Sequence, residues 1–328
     1  MFSKIWKTVK FLIIIAIVII CLPHSILPRQ TSGFEQKDLE YYLKLNDNET
    51  RLIEVKDSEE SLKLKLLQLE VINNSRKKFR AEPVKLDILS SRVANMISRE
   101  AAENSFLGHW NLAGEKPYQR YAFAGGYDHI SENAFGEWSS DNYIISGSKI
   151  SSLMRSGHGT FMDEKAPYDG HKKNIIEKSH NYVGIGYCLK GNQFRYYEEF
   201  VDRYFVFENI PADVKVDETF RITVKPESEK FLYYLIVYRE DYPQPIAAGQ
   251  ISKKGSYDDF SNEQYFKMAA WELASYRNGS SYKIPLRFSV EGLYYIQIFY
   301  DKKEVSEPSY VNTRGKTPGS GIVIRATK

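Results

Sequence analysis

Cysteine is almost missing from this sequence. Of 328 residues only Cys21 and Cys188 are cysteine. Cys21 lies inside an apolar segment near the N-terminus, so removal of that segment leaves Cys188 alone and excludes an intramolecular disulfide. Stability must then come from hydrophobic cores, which a chain of this length can bury. Cys188 itself sits in a strand-like run with apolar neighbours on one face, the setting of an inert thiol and not of a nucleophile. No single sign of charge dominates either: 45 Lys and Arg stand against 42 Asp and Glu, a formal net charge of +3. Without a basic stripe interleaved with aromatics, nucleic acid is excluded as the expected partner. Internal repeats, low-complexity tracts, a P-loop, a dinucleotide fingerprint, G-x-S-x-G, H-E-x-x-H and C-x-x-C are all missing.

Long hydrophobic runs are missing too, with one exception. Residues 11–22 are apolar, follow Lys4, Lys7 and Lys10, and end at Pro23. A basic flank before a dozen apolar residues has the form of an export signal, and it falls short of the ~20 residues of a bilayer-spanning helix. Residues 1–28 are therefore expected to be a signal peptide or a membrane anchor. No A-x-A pattern decides for cleavage, and Cys21 admits lipid attachment as a variant. In each case the rest of the chain is exported, secreted or anchored facing outside, with membrane contact only through this segment.

What is present is the composition of a folded soluble protein, with 42% hydrophobic and 27% charged residues. Residues 29–57 are polar and weakly patterned, as expected of a tether. A helix follows, with Asp57 as its expected cap and Leu62, Leu66, Leu69 and Ile72 on one face. A second helix starts near Asp87 and spaces Leu89, Val93, Ile97 and Ala101 helically. A third is expected over 139–154. Gly157, Gly159, Pro167 and Gly170 then mark a long loop, and Asp169 caps a short helix containing residues 171–176. Period-two patterns at 183–187 and 194–205 predict antiparallel strands joined at Gly191-Asn192. Residues 58–207 thus read as one α+β domain. Beyond Pro211, strand-like runs at 219–225, 231–239, 282–290, 293–300 and 321–325 alternate with turn residues. Residues 208–328 are expected to form an all-β module, most simply an immunoglobulin-like sandwich.

Five of the six histidines lie between positions 109 and 180. No two of them show the spacing of a local metal motif. His129 reads as structural and His180 as a polar turn residue. Order adds what spacing does not. Asn73 and Arg76, Leu86-Asp87, Phe106-x-x-His109, Ser131-Glu132-Asn133, Gly170-His171-x-x-Asn174-Ile175, Val183-Gly184-Ile185-Gly186 and Phe200-Val201 follow one another as in the CAP superfamily of cysteine-rich secretory, antigen 5 and pathogenesis-related 1 proteins. Residues 62–205 resemble that domain, on its cysteine-poor, bacterial-like side. The resemblance implies a three-layer α-β-α sandwich whose cleft is lined by two His and two acidic residues. His109, Glu132 and His171 match three of these four. The fourth is open, because the stretch where the family places it carries no Glu, and His158 and Glu164 both stand as candidates.

The resemblance further implies that the cleft histidines can hold a divalent cation, zinc above all, with His109, His171, Glu132 and His158 as the expected ligand set. A binding function then comes first, with an enzymatic one as its alternative. The first is a binding module for an extracellular or envelope ligand. The second is a metal-dependent, protease-like hydrolase with Glu132 or Glu164 as general base. Lipid or sterol carriage is a lower alternative. The β module is expected to serve adhesion or ligand positioning.

Overall fold

The structure is a computed structural model that describes residues 38–227, 229–255, 257 and 264–328. The segment 1–28 lies outside the described residues. Among those described, no helix is long and apolar enough to cross a membrane.

The stretch expected as a tether is folded from residue 38 onward. Helix α1, Leu39–Asn48, starts where the Asp38 side chain accepts from the Tyr41 N–H at 3.0 Å. It buries Tyr42 and Asn46 against the core. Arg92 fixes this segment from below, donating to the carbonyls of Asn46, Glu49 and Arg51. Polar composition hid these anchors because each is a buried polar group satisfied by backbone.

Helix α2, Glu59–Lys78, is capped by Ser58, whose hydroxyl accepts from Ser61 N–H at 3.1 Å. Asp57 does not cap it. Its carboxylate is buried and stands 2.7 Å from the Lys65 ammonium, and a lysine with no exposed surface needs that partner. Strand β1, Lys85–Leu86, leads into α3, Ile88–Glu103, and then α4, Pro117–Phe123. Strand β2, His129–Trp138, is followed by α5, Gly147–Asp163, and α6, Gly170–Ile176. Strands β3, Tyr182–Lys190, and β4, Gln193–Asp202, close the first domain.

The four strands run β1-β3-β4-β2, so β2 is an edge and β4 lies inside. Alternation along β4 serves two layers at once. Phe194, Tyr196 and Phe200 join the core made with α2 and α5, while Tyr197 and Val201 point to the side of α3 and α4. Helix α3 lies directly on β3 because Gly184 and Gly186 have no side chains there. A Cβ at Gly184 would meet the Ser90 carbonyl carbon at 2.3 Å, and one at Gly186 that of Ala94 at 2.1 Å.

Helix α5 differs from the expected 139–154. Ser146 caps it, and it continues to Asp163 through both Gly157 and Gly159. Gly157 is a contact, not a break: a Cβ there would lie 2.8 Å from the Phe135 ring. Residues 129–138, where His129 reads as structural, form an edge strand paired with β4 from His129↔Asp202 onward.

The C-terminal residues form two further sheets. Strands β5, Phe205–Glu208; β6, Asp213–Lys215; β7, Thr219–Pro226; and β8, Phe231–Glu240, come first. Short helix α7, Ala248–Ile251, strand β9, Gln264–Ala269, and helix α8, Ala270–Ala274, follow. Strands β10, Arg277–Asn278; β11, Ser281–Arg287; β12, Gly292–Asp301; β13, Thr317–Pro318; and β14, Ile322–Thr327, complete the chain. One sheet runs β10-β11-β7-β5 and the other β6-β14-β12-β8-β9, with β13 on β12. Ile222, Val224, Ile284, Tyr294, Ile296 and Ile324 fill the core they share. The outer face of the second sheet packs on the first domain, where Leu293, Tyr295 and Val323 meet Leu89, Val93, Tyr118 and Ile130. Glu240 at the end of β8 accepts from Tyr118 Oη, from Gln119 Nε2 at 2.7 Å and from Lys116 Nζ at 3.3 Å.

The contact of α3 with β3 is testable. Gly186→Ala forces a methyl into backbone, and overpacking of this kind costs about 1–3 kcal/mol. A urea midpoint unchanged from that of the parent chain would contradict this account of the layer.

Candidate functional site

The edge strand β2, the loop before α4, the end of α5 and the start of α6 meet at a cleft of about 450 Å³. His109, Ser131, Glu132, Asn133, Glu164, His171 and Tyr257 are among its lining residues. The two histidine rings face it with centroids 6.4 Å apart. Each imidazole turns Nδ1 to a carboxylate: His109 to Glu132 Oε1 at 2.8 Å, His171 to Glu164 Oε1 at 2.5 Å. Glu164 also accepts the His171 backbone N–H at 3.0 Å, so one carboxylate holds both the helix start and the ring. The Phe161 ring lies 4.7 Å from that of His171 and supports it from the core side.

Of the two candidates for the fourth place, Glu164 lies in the cleft and His158 does not. His158 is buried in α5, with Nδ1 2.7 Å from Glu198 Oε1 and Nε2 2.9 Å from Ser75 Oγ. Both ring nitrogens are taken, so His158 drops out of the expected ligand set. Among the described residues no group of three or more His, Cys, Asp or Glu stands arranged to hold a metal ion. The expected ligand set of His109, His171, Glu132 and His158 is therefore not assembled.

Glu132 has no exposed side-chain surface. Its Oε1 faces His109 and its Oε2 accepts from Arg120, whose guanidinium is also buried and donates to the His109 carbonyl at 2.6 Å. Opposite Glu132 across the strands stands Glu199, 3.8 Å from Arg120. Two buried carboxyls facing one guanidinium cannot both be charged without cost. Burial, and next the charge of Glu132, push the Glu199 carboxyl well above the usual carboxylate range. Burial also raises Glu132, against the pull of Arg120. Of the two, Glu199 is the carboxyl whose charged form the surroundings oppose more strongly, since Arg120 bonds Glu132 and stands farther from Glu199.

A chain of amides ties the floor together. Ser131 Oγ donates to Asn174 Oδ1 at 2.6 Å, Asn174 Nδ2 donates to Asn133 Oδ1 at 2.9 Å, and Asn133 Nδ2 donates to the His171 carbonyl at 3.2 Å. The same Asn174 oxygen lies 3.0 Å from His180 Nε2. His180 and His129 share Asp202, at 2.8 and 3.0 Å. Burial opposes the charge on Asp202, yet the two imidazoles hold its carboxyl well below the usual range. His129 and His180 thus belong to a buried structural cluster beside the cleft.

Sequence reading missed Arg120, Glu198, Glu199 and Tyr257. The adjacent carboxylates Glu198 and Glu199 carried a signal, since they interrupt an aromatic strand that must be buried on both faces. Tyr257 carried none, being 125 residues from Glu132, whose N–H its hydroxyl accepts at 2.8 Å.

Residues 69–208 match the family model of the cysteine-rich secretory protein family, CAP. This part of the chain is a CAP domain. No curated protein matches the sequence. Among solved structures, an extracellular protein containing an SCP domain from Bacillus anthracis is 15% identical, with 42% of this chain and 39% of that chain covered and a TM-score of 0.32. The chain thus spans well under half the length of that protein. An outer surface protein from Borrelia burgdorferi is 18% identical, with 43% and 93% covered and a TM-score of 0.34.

The raised Glu199 carboxyl gives the fold a pH dependence. A carboxyl raised in the fold contributes stability that is complete below its unfolded value of about 4.3 and is lost as pH rises through its folded value. Glu199→Gln is uncharged at every pH, so its urea midpoint should gain on that of the parent chain as pH rises above about 4.3. Glu132→Gln removes the nearest partner of a buried guanidinium and should cost about 3 kcal/mol. Equal losses in both variants at every pH would contradict this account of the Glu132–Glu199 pair.

Proposed function

We propose that the chain is an exported binding module whose CAP cleft takes a divalent cation or a small polar ligand between His109 and His171. The observation that carries this is the orientation of the two imidazoles. A metal-binding histidine is held by a carboxylate or carbonyl on its other ring nitrogen, which fixes the tautomer and raises ligand basicity. Glu132 and Glu164 stand in that relation to His109 and His171. The donor chemistry therefore fits a cation of the zinc type, held by two neutral imidazoles and completed by water or ligand oxygen. When bound, such an ion would supply a positive charge able to polarise an oxygen ligand. The chain's own residues orient the two rings, and Asn133, Asn174 and Ser131 offer hydrogen bonds beneath them.

Hydrolysis is the weaker reading on this geometry. A general base must face the water it deprotonates. Glu132 is fully buried between His109 and Arg120, and Glu164 is engaged by the ring and the backbone of His171. Both carboxylates act on the histidines. Export is supported by the basic flank and apolar run of the N-terminal segment. The β module, read as an immunoglobulin-like sandwich, would position the cleft toward its ligand.

Zinc titration by calorimetry tests the proposal. Saturable binding is expected in the parent chain and is expected to disappear in the His109→Ala/His171→Ala variant. Glu164→Gln should weaken it about tenfold or more. Binding that survives loss of both histidines would move the site away from this cleft.

A further inference from the structure

The connection between β8 and β9 leaves the second module and runs along the first. Residues 244–255 are fixed to it at successive points. Gly114, at a φ of +83°, lies so close to Gln244 that a Cβ would meet its carbonyl oxygen at 2.0 Å. Ile246 N–H donates to the Leu112 carbonyl at 2.9 Å. Ile251 is fully buried among Ala94, Ile97, Ala101, Phe106 and Tyr197, a pocket built entirely by the CAP domain. Ser252 Oγ accepts from Leu107 N–H at 3.3 Å, and the Lys254 ammonium lies 4.8 Å from the centre of the Trp110 ring.

This strap delivers Tyr257 into the cleft. Its ring centroid is 4.8 Å from that of His109, and it meets Trp110 edge-on at 6.5 Å. Its hydroxyl accepts the Glu132 N–H at 2.8 Å. Because β2 is an edge strand, that N–H has no strand partner on its outer side, and Tyr257 supplies one. One side chain therefore touches the ring of His109 and the backbone of the residue whose carboxylate holds that ring. Residue 257 lies outside the 69–208 match, so this wall of the cleft is an addition to the CAP domain.

We propose that the second module completes the cleft, and that Tyr257 is a positioning residue that holds the His109 ring for a divalent cation. The proposal rests on the cation reading above for its ligand, and on the strap geometry alone for its effect on His109. A ring packed against a tilted aromatic and fixed at Nδ1 by a carboxylate keeps one orientation, whereas removal of the aromatic frees it to rotate.

The full chain is compared with Tyr257→Phe and Tyr257→Leu by two measurements. Zinc affinity is read by calorimetry. The ring-proton signals of His109 are read by NMR at fixed pH without metal. Tyr257→Phe keeps the ring and loses one hydrogen bond, so zinc affinity should stay within about threefold. Tyr257→Leu should lose about tenfold or more, as loss of outer partners of a ligand does, and should move the His109 signals that Tyr257→Phe leaves in place. His109 signals unchanged in Tyr257→Leu overturn the proposal whatever zinc does. Where the parent chain binds zinc, equal affinity in Tyr257→Leu overturns it as well. If the parent chain binds no zinc while the His109 signals move, the cation reading falls, with it the cation clause of this proposal, and the composite cleft stands.

Discussion

A guanidinium has no neutral form to retreat to, so a buried arginine dictates what surrounds it. Arg120 is 1% exposed and meets this demand with Glu132 and with the carbonyls of His109 and Glu115. The first partner orients one cleft histidine through its ring, and the second fixes the backbone of the same histidine. The position of His109 is therefore a by-product of solving the desolvation of Arg120. The helix that carries Arg120 also sends Tyr118, Gln119 and the preceding Lys116 to Glu240, so the same five-residue stretch, 116–120, ties the second module to the first.

Strand β4 extends this logic across the sheet. Neighbouring carboxylates on a strand point to opposite faces. Glu199 faces the Arg120 side, and Glu198 faces α5, where it accepts from Tyr196 Oη at 2.6 Å and stands 2.7 Å from the His158 ring. Two polar knots, one on each face, thus sit mid-strand beside Phe, Tyr and Val. The Glu198 knot reaches the cleft floor through Asn133, which donates to Glu198 as well as to His171, and the Arg120 knot reaches it through Glu132 and His109.

The CAP part of the fold was legible in the sequence because its anchors are local: the glycines of β3, the start of α3 at Asp87, the short Gly-His-x-x-Asn segment, although Asp169 makes no side-chain cap there. What depended on distant partners was not. Asp57 looks like a cap until Lys65 is known to be buried. Gly157 looks like a helix break until Phe135 is seen against it. With α5 ended too early, His158 seemed free to enter the cleft. Once the helix runs to Asp163, His158 falls on the buried stripe of Ile150, Leu153, Met154, Gly157 and Phe161, and only Glu164 emerges at its end. The tether over 38–57 was misread for a related reason, since its anchors are buried polar groups and not an apolar stripe. No local pattern announces Tyr257, whose role depends on a strap from another module.

The central claim is that the cleft presents two carboxylate-supported imidazoles as its binding groups, with the carboxylates behind them. X-ray absorption on the zinc-loaded chain measures this directly. The account predicts two imidazole nitrogens at about 2.0–2.1 Å, with water or other non-protein oxygen completing the shell. A carboxylate of Glu132 or Glu164 found bound to the metal, or a single imidazole, would contradict it.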